Sequence, residues 1–297
     1  MFQYENDALA VTRNCEKAQK RISDALTVAT YHISELAYLL SDGIIDGTAR
    51  ETYNELRSSL LPRGRGSASL GVVAACTLAG FCKEVCEESK RRGRAIDPLS
   101  FLATEGAAEN SCIAYIRSSQ SDEAYRAFSS VIPDASVIYP SGFAAVCEEV
   151  YYGRAGYCIL PYESSDEGSL SGFMRLIRKY ELCPNMICSV SGEHSVTRFV
   201  LLGRSQYPSA FSVKCKRRYL KISIDSTNSG TVAALTGAAE VLGYTLCKTE
   251  SIPVSWDDGR YAMSLTFDVT GKDVAPFLLY LELEIPECAE RSVYSEV

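Results

Sequence analysis

The sequence predicts a multi-domain chain of α and α/β class, because its hydrophobic spacing changes twice. Repeats of three and four residues fill the first third, short apolar runs alternating with helical stretches fill the middle, and a β-α-β-β-α-β succession fills the end. With 297 residues and 46% hydrophobic content the chain is long enough for two or three cores. The expected units are residues 1–95, an N-terminal helical bundle; 96–210, an α/β lobe; and 211–297, a ferredoxin-like βαββαβ domain.

In the first unit, Cys15, Ala18, Ile22, Ala25, Ala29, Ile33, Leu36 and Leu40 keep to one face of a long helix that should end at Asp42-Gly43. Thr48, with Glu51 three residues on, fits a capping box for a second helix reaching Leu60. Pro62 to Ser67 reads as a loop, and Ser69 to Arg92 as a third helix. Such a bundle would bury its apolar stripe best against a second copy.

After the linker Gly93 to Pro98, a strand is expected at Leu99 to Ala103, a turn at Glu105-Gly106 and a helix at Ala107 to Arg117. Val137 to Tyr139 and Tyr157 to Leu160 should be strands around a helix from Phe143 to Tyr151. A helix from Ser171 to Tyr180 and a strand from Phe199 to Leu202 complete this part. In the last unit Leu220, Ile222 and Ile224 alternate as a strand does, Gly230 to Leu242 is helical, and Tyr244 to Val254 is extended. Tyr261 to Val269 alternates again, Val274 to Leu281 is helical, and a final strand follows.

A net charge of −7 argues against nucleic acid or an anionic membrane as partner. The run of 18 apolar residues that would cross a bilayer is missing, and MFQYENDALA lacks the basic-then-apolar pattern of a secretion signal, so a cytoplasmic protein is expected. The 12 cysteines lie in apolar surroundings and are expected to be reduced core residues. Cys82 and Cys86 share a helical face, but with no CxxC and only His32 and His194 as imidazoles, no metal site and no cofactor are expected.

Most of the chemistry-bearing residues fall in two stretches. LPYESSDEGSL (160–170) follows a buried apolar run with hydroxyl and carboxylate groups, as a strand does where it delivers a polar site at its carboxyl end. Val196-Thr197-Arg198-Phe199 begins only 31 residues beyond Ser165. Together with LSFLATEGAAENS (99–111), these segments resemble, in order, the FLGPEGTFS, PIENSxxGxV and NxTRF motifs of prephenate dehydratase. GTVAAL (230–235) and ESIP (250–253) are similar to the GAL and ESRP segments of the ACT domain that follows it in that family. Arg50-Glu51 and CKEVCEES (82–89) look like parts of the helical chorismate mutase that precedes it in bifunctional members.

The resemblance implies a chorismate mutase-like bundle, a truncated dehydratase-like lobe and an ACT domain. It implies Thr197 as catalytic hydroxyl and Arg198 as positioning cation, with Glu163 and Ser165 at the ENS position. It implies an amino-acid site at Asn228, Ser229, Gly230, Glu250 and Ser251, a mutase-like remnant at Arg50, Glu51 and Ser89, an aromatic metabolite or amino acid as ligand, and a homodimer through the ACT and helical domains. The departures run one way. ENS has become Glu163-Ser164-Ser165, the Thr and Ser of GTFS have become Ala107 and Glu109, the Asn before TRF is Ser195, and the Arg of ESRP is Ile252. The family's second lobe lies between ENS and TRF, where this chain has room for a helix and a turn. On the first helix Arg13, Lys17, Lys20 and Arg21 crowd one end with no cation following before Arg50, and the third-helix Gln position falls on Gly93, so mutase chemistry is not expected.

Three readings follow. The first is a non-catalytic or impaired relative that senses an aromatic amino acid or pathway intermediate. The second is an active dehydratase whose cleft is completed by a partner subunit. The third is a scaffold. Arg198 fits either a site cation or a structural partner of Glu163 or Glu193, and the Asn228–Gly230 loop fits either ligand binding or bare dimerisation.

Overall fold

A computed structural model describes residues 2–40, 45–60, 71–102, 111–132, 134–192, 195–206, 215–224, 229–253, 261–286, 288 and 290–297. Three helices, α1 (Phe2–Leu39), α2 (Gly47–Leu60) and α3 (Val72–Arg91), precede an alternation of β1 (Ile113–Ala114), α4 (Ser119–Ser129), β2 (Val137–Ile138), α5 (Phe143–Tyr151), β3 (Tyr157–Ser164), β4 (Gly168–Ser169), α6 (Ser171–Lys179), β5 (Cys183–Ser191) and β6 (Val196–Gly203). Then come β7 (Arg217–Ile224), α7 (Ser229–Val241), β8 (Thr245–Pro253), β9 (Tyr261–Asp268), α8 (Ala275–Glu284) and β10 (Glu290–Glu296).

All ten strands join one mixed sheet in the order β2-β1-β3-β6-β5-β10-β7-β9-β8, with β4 hairpinned onto β3. The last four strands carry the β-α-β-β-α-β succession that the sequence pattern predicts, in the spatial order fourth, first, third, second. They join the rest through β5 and β10, parallel neighbours paired only at Ser295↔Met186 and Glu296↔Ile187. Where β5 and β10 diverge, buried Gln206 spans the gap. Its Oε1 accepts from the Val293 amide (2.9 Å), and its Nε2 donates to the Val293 carbonyl and to Asn185 Oδ1 (3.1 Å). A side chain here satisfies main-chain groups that no neighbouring strand reaches.

Part of the apolar stripe of the N-terminal helices is buried within the chain itself. Ala29, Leu36, Leu40, Leu56, Leu78 and Val85 share one buried cluster with Leu220, Ile222, Leu265, Phe267, Phe277 and Leu281 from the last unit. Helix α3 lies against α7 so closely that a Cβ on Gly237 would come within 2.7 Å of Val72 Cγ1 and 3.1 Å of Cys76 Sγ. Polar latches surround this core: Arg50 to Glu282 (3.0 Å), Arg57 and the Tyr53 hydroxyl to Glu284 (2.9 Å each), and Lys90 to Asp273. The middle of the chain sandwiches its strands between α5 and α6 on one face and α4 on the other.

Several expectations are corrected. Asp46, not Thr48, caps α2, its Oδ1 accepting from the Ala49 amide at 2.8 Å. Pro98–Phe101 is a 3-10 turn rather than a strand, because Pro98 starts it and the Asp97 side chain accepts from the Leu99 amide. Ile113 and Ala114 are strand, not helix, since both are fully buried between β2 and β3. Helix α4 and strand β5 were not foreseen. The segment between Ser165 and Thr197 is therefore more than a helix and a turn, because β5 occupies nine of its residues. The expected turns at Asp42-Gly43 and Glu105-Gly106, the loop at Pro62 to Ser67, Ala107, Glu109, Glu193 and Asn228 lie outside the described residues. Among the described residues no helix is long and apolar enough to cross a membrane.

Candidate functional site

Two β-bulges build the site. In β3, paired antiparallel with β6, the register shifts between Pro161 and Glu163, so Tyr162 is the extra residue. Pro161 lacks the amide that an unbroken ladder needs, which is the local reason for the shift. The bulge turns Tyr162 onto the last four strands, where its hydroxyl meets Lys221 Nζ at 3.2 Å. A shift in β8, between Leu246 and Lys248, places Lys248 against the end of β3, and one in β5, at Asn185, serves the seam with Gln206 instead.

The two chemistry-bearing stretches adjoin. Glu163 faces Arg198 across the β3–β6 ladder, and Ser164 faces Thr197. Arg198 Nη1 donates to Glu163 Oε2 at 2.9 Å, and Lys248 donates to the other Glu163 oxygen. Lys248 also pairs with Glu250 at 3.0 Å and donates to Ser169 Oγ, which in turn donates to Glu250. The residues expected to form two separate sites, Glu163 on one side and Glu250 on the other, are thus clamped to a single ammonium.

Beneath them lies the polar face of β7 to β10. In register across those strands stand Glu290, Ser223, Ser264 and Glu250, and beside them Ser292, Lys221, Thr266 and Lys248. Lys221, Ser223, Ser264, Thr266 and Ser292 are all buried, and Glu290 accepts from the Ser223 hydroxyl at 2.8 Å. Arg198 lies 3.8 Å from Glu296, which also accepts from the Tyr219 hydroxyl at 3.1 Å.

Electrostatics follow from this geometry. Burial pushes the Glu163 carboxyl up, but the hydrogen bonds and charges of Lys248 and Arg198 outweigh burial and hold it below the ordinary glutamate value. Burial lowers Lys221, opposed by the charges of Glu290, Glu250 and Glu163, and raises the Tyr162 hydroxyl. Glu163 is therefore a carboxylate at neutral pH and has no proton to give. Arg198, Lys221 and Lys248 stand among Glu163, Glu250, Glu290 and Glu296, so a dicarboxylate entering here would meet no net positive charge.

The other expected site residues are dispersed. Ser165 closes the hairpin, its Oγ accepting from the Val196 amide at 3.1 Å and donating to Asp166 at 2.9 Å. Thr197 is half-buried, and its hydroxyl has no hydrogen-bond partner among the described residues. Ser229 and Gly230 open α7, while the Ser251 hydroxyl contacts Met263 Sδ at 3.3 Å. Strand alternation puts Ser251 on the face opposite Glu250. Arg50 serves the α2–α8 latch, Glu51 is exposed, and Ser89 donates to the Arg94 carbonyl beyond the end of α3. No metal-holding cluster of His, Cys, Asp and Glu occurs among the described residues.

Tyr162, Lys221 and Lys248 are the candidate-site residues that sequence reasoning missed. Pro161 inside an apolar run was the available signal for a bulge. Nothing local marks Lys221, which occupies an alternate strand position that normally faces water.

No protein-family model matches the sequence, and no curated protein matches it. The chain is similar in structure to prephenate dehydratase from Streptococcus mutans, at 20% identity and a TM-score of 0.49 over 62% of this chain and 98% of that one. It is similar to GqqA, described as a novel type of quorum quenching acylase, at 17% identity and 0.44, over 62% and 95%. A third structure, prephenate dehydratase in complex with L-Phe from Arthrobacter aurescens, gives 13% and 0.43, over 62% and 90%.

Proposed function

We propose that this chain is a prephenate dehydratase-like protein that no longer carries out the elimination and instead binds, as a sensor, an aromatic amino acid or an intermediate of its pathway. The observation that carries this reading is the clamp on Glu163. Elimination of water and carbon dioxide from a dicarboxylate needs cations free to hold the carboxylates, an acid for the leaving hydroxyl and a site closed to solvent. Here Arg198 and Lys248 are engaged with Glu163 and Glu250, and Glu163 is ionised. The stretch between the two motifs, where the resemblance implies a second lobe, holds β4, α6 and β5, and β5 is a sheet strand between β6 and β10.

The sensing part of the reading rests on the βαββαβ unit that resembles an ACT domain, with Ser229 and Gly230 at the start of α7 standing where the resemblance implies a carboxylate-binding turn. A homodimer belongs to the same reading: Tyr31 and Tyr38 on α1 and Val73 on α3 are exposed apolar side chains that a second copy would cover.

Phenylpyruvate formation from prephenate is the direct test, and no turnover is expected. Turnover abolished by Thr197→Ala would instead establish the second reading, an active dehydratase completed by a partner subunit, which the unengaged Thr197 hydroxyl favours. Phenylalanine at millimolar concentration should raise the melting temperature, since a ligand of the native state must stabilise it. If phenylalanine, tyrosine, prephenate and chorismate all leave it unchanged, the sensor reading fails and a scaffold remains.

A further inference from the structure

Where β5 and β10 diverge, the seam opens into a cavity of about 550 Å³. Its walls come from both faces of the sheet. Ile177 and Arg178 at the end of α6, Leu182 and Pro184 at the start of β5, and Lys221 of β7 line one part, while Phe101 and Arg291 come from the side of α8. The volume is that of a small-molecule site, and such sites concentrate at junctions between structural units.

The charge on these walls is unlike that of the clamped cluster. Arg178, Arg204, Lys221 and Arg291 line the cavity with Glu181 and Glu290, and because Glu282 pairs with Arg291 an excess of one positive charge remains. Two of these cations are deeply buried with donor capacity left over. The side chain of Arg291 is 9% exposed; its Nη1 pairs with Glu282 at 2.7 Å, but its Nε is buried with no hydrogen-bond partner among the described residues. Lys221 is 4% exposed, and its ammonium, with three protons to donate, has the Tyr162 hydroxyl as its hydrogen-bond partner. Buried donors in this condition are costly unless something accepts from them.

We propose that this cavity binds a small organic carboxylate with an apolar body, the carboxylate held by Arg178 and Lys221 on one face of the sheet and the body lying against Ile177 and Leu182 and reaching through the seam towards Phe101. An inorganic anion would leave the apolar wall uncovered, and a neutral hydrocarbon would leave the buried donors unanswered. The site is separate from Thr197 and from the start of α7, and does not depend on the dehydratase-like reading.

Phenylacetate and its uncharged counterpart phenylacetamide, titrated calorimetrically into the full chain, test it. Phenylacetate should bind and raise the melting temperature, and the amide should do neither. Lys221→Met keeps the volume while removing the charge, and Arg178→Gln tests a half-buried position with little risk to folding. Each should weaken phenylacetate at least about tenfold, the loss of one charge-assisted hydrogen bond, with circular dichroism unchanged. If Lys221→Met fails to fold, Arg178→Gln decides alone. Equal binding of acid and amide, no binding of phenylacetate at about 10 mM, or unchanged affinity in Arg178→Gln would overturn the proposal.

Discussion

The two faces of strands β7 to β10 are buried alike and are chemically opposite. One face presents Leu220, Ile222, Leu265 and Phe267 to helices α3, α7 and α8. The other presents Lys221, Ser223, Ser264, Thr266 and Ser292 to the bulged end of β3 and its hairpin. Apolar burial is tolerant of partner, so the first face gathers the N-terminal helices into one core with the C-terminal unit. Buried polar groups demand particular partners in particular places. The second face accordingly fixes where Tyr162, Glu163 and Ser169 must sit. The comparison teaches that cohesion in this chain comes from one side of the sheet, and the candidate chemistry from the other.

The largest effect should come from emptying the apolar face. Phe277 is fully buried between Phe267, Tyr244 and Tyr280. Phe277→Ala should cost about 3–5 kcal/mol in denaturant unfolding. It should also loosen the N-terminal helices together with α7 and α8, because all belong to one cluster. Separate transitions, with α1 to α3 unaffected, would break the claim of a shared core.

Next is the clamp on the polar face. Lys248→Ala leaves the Glu163 and Glu250 carboxylates, 16% and 14% exposed, without the ammonium that joins them. The expected loss is about 2–3 kcal/mol, below the 3–5 kcal/mol of a fully buried pair because Lys248 is itself one-third exposed. Adding Glu250→Gln should recover part of it, and a double-mutant cycle measures how much.

A contact between helices gives a smaller and sharper test. Gly237→Ala puts a methyl 2.7 Å from Val72 Cγ1 and should cost about 1–3 kcal/mol. Val72→Ala, which removes the obstructing methyl groups, should return most of that stability.

The legible part of the molecule was the apolar face. The spacing of Leu220, Ile222 and Ile224, of Tyr261 to Phe267, and of Leu36 and Leu40 marks elements whose inward residues pack on one another. The motif residues Glu163 and Arg198 were also legible as neighbours, because a ladder joins their strands. The polar face was not. Lys221 and Lys248 occupy alternate strand positions that look solvated, and the bulges at Tyr162 and Cys247, set by long-range pairing, bring them under another part of the chain, which buries Lys221 and half-buries Lys248. For the same reason Leu99 to Ala103 reads as strand from its side chains, although Asp97 and Pro98 make Pro98–Phe101 a 3-10 segment.

The smallest expected effect is a pH dependence that reads the polar face through one of its carboxylates. The Glu163 carboxyl titrates below its ordinary value because its two cationic partners outweigh burial. A carboxylate whose folded value is depressed adds stability that is fully present above the unfolded value, about 4.3, and is lost as pH falls through the folded value. Since burial cancels part of what the partners supply, this contribution should be smaller than the loss in Lys248→Ala. Wild type and Glu163→Gln, unfolded in urea from about pH 6 to pH 3, isolate it from the other carboxylates. The advantage of wild type should hold steady above pH 5 and shrink below it. A difference that stays flat across the range would mean that Arg198 and Lys248 do not hold Glu163 ionised, and the cations would then be free for a substrate.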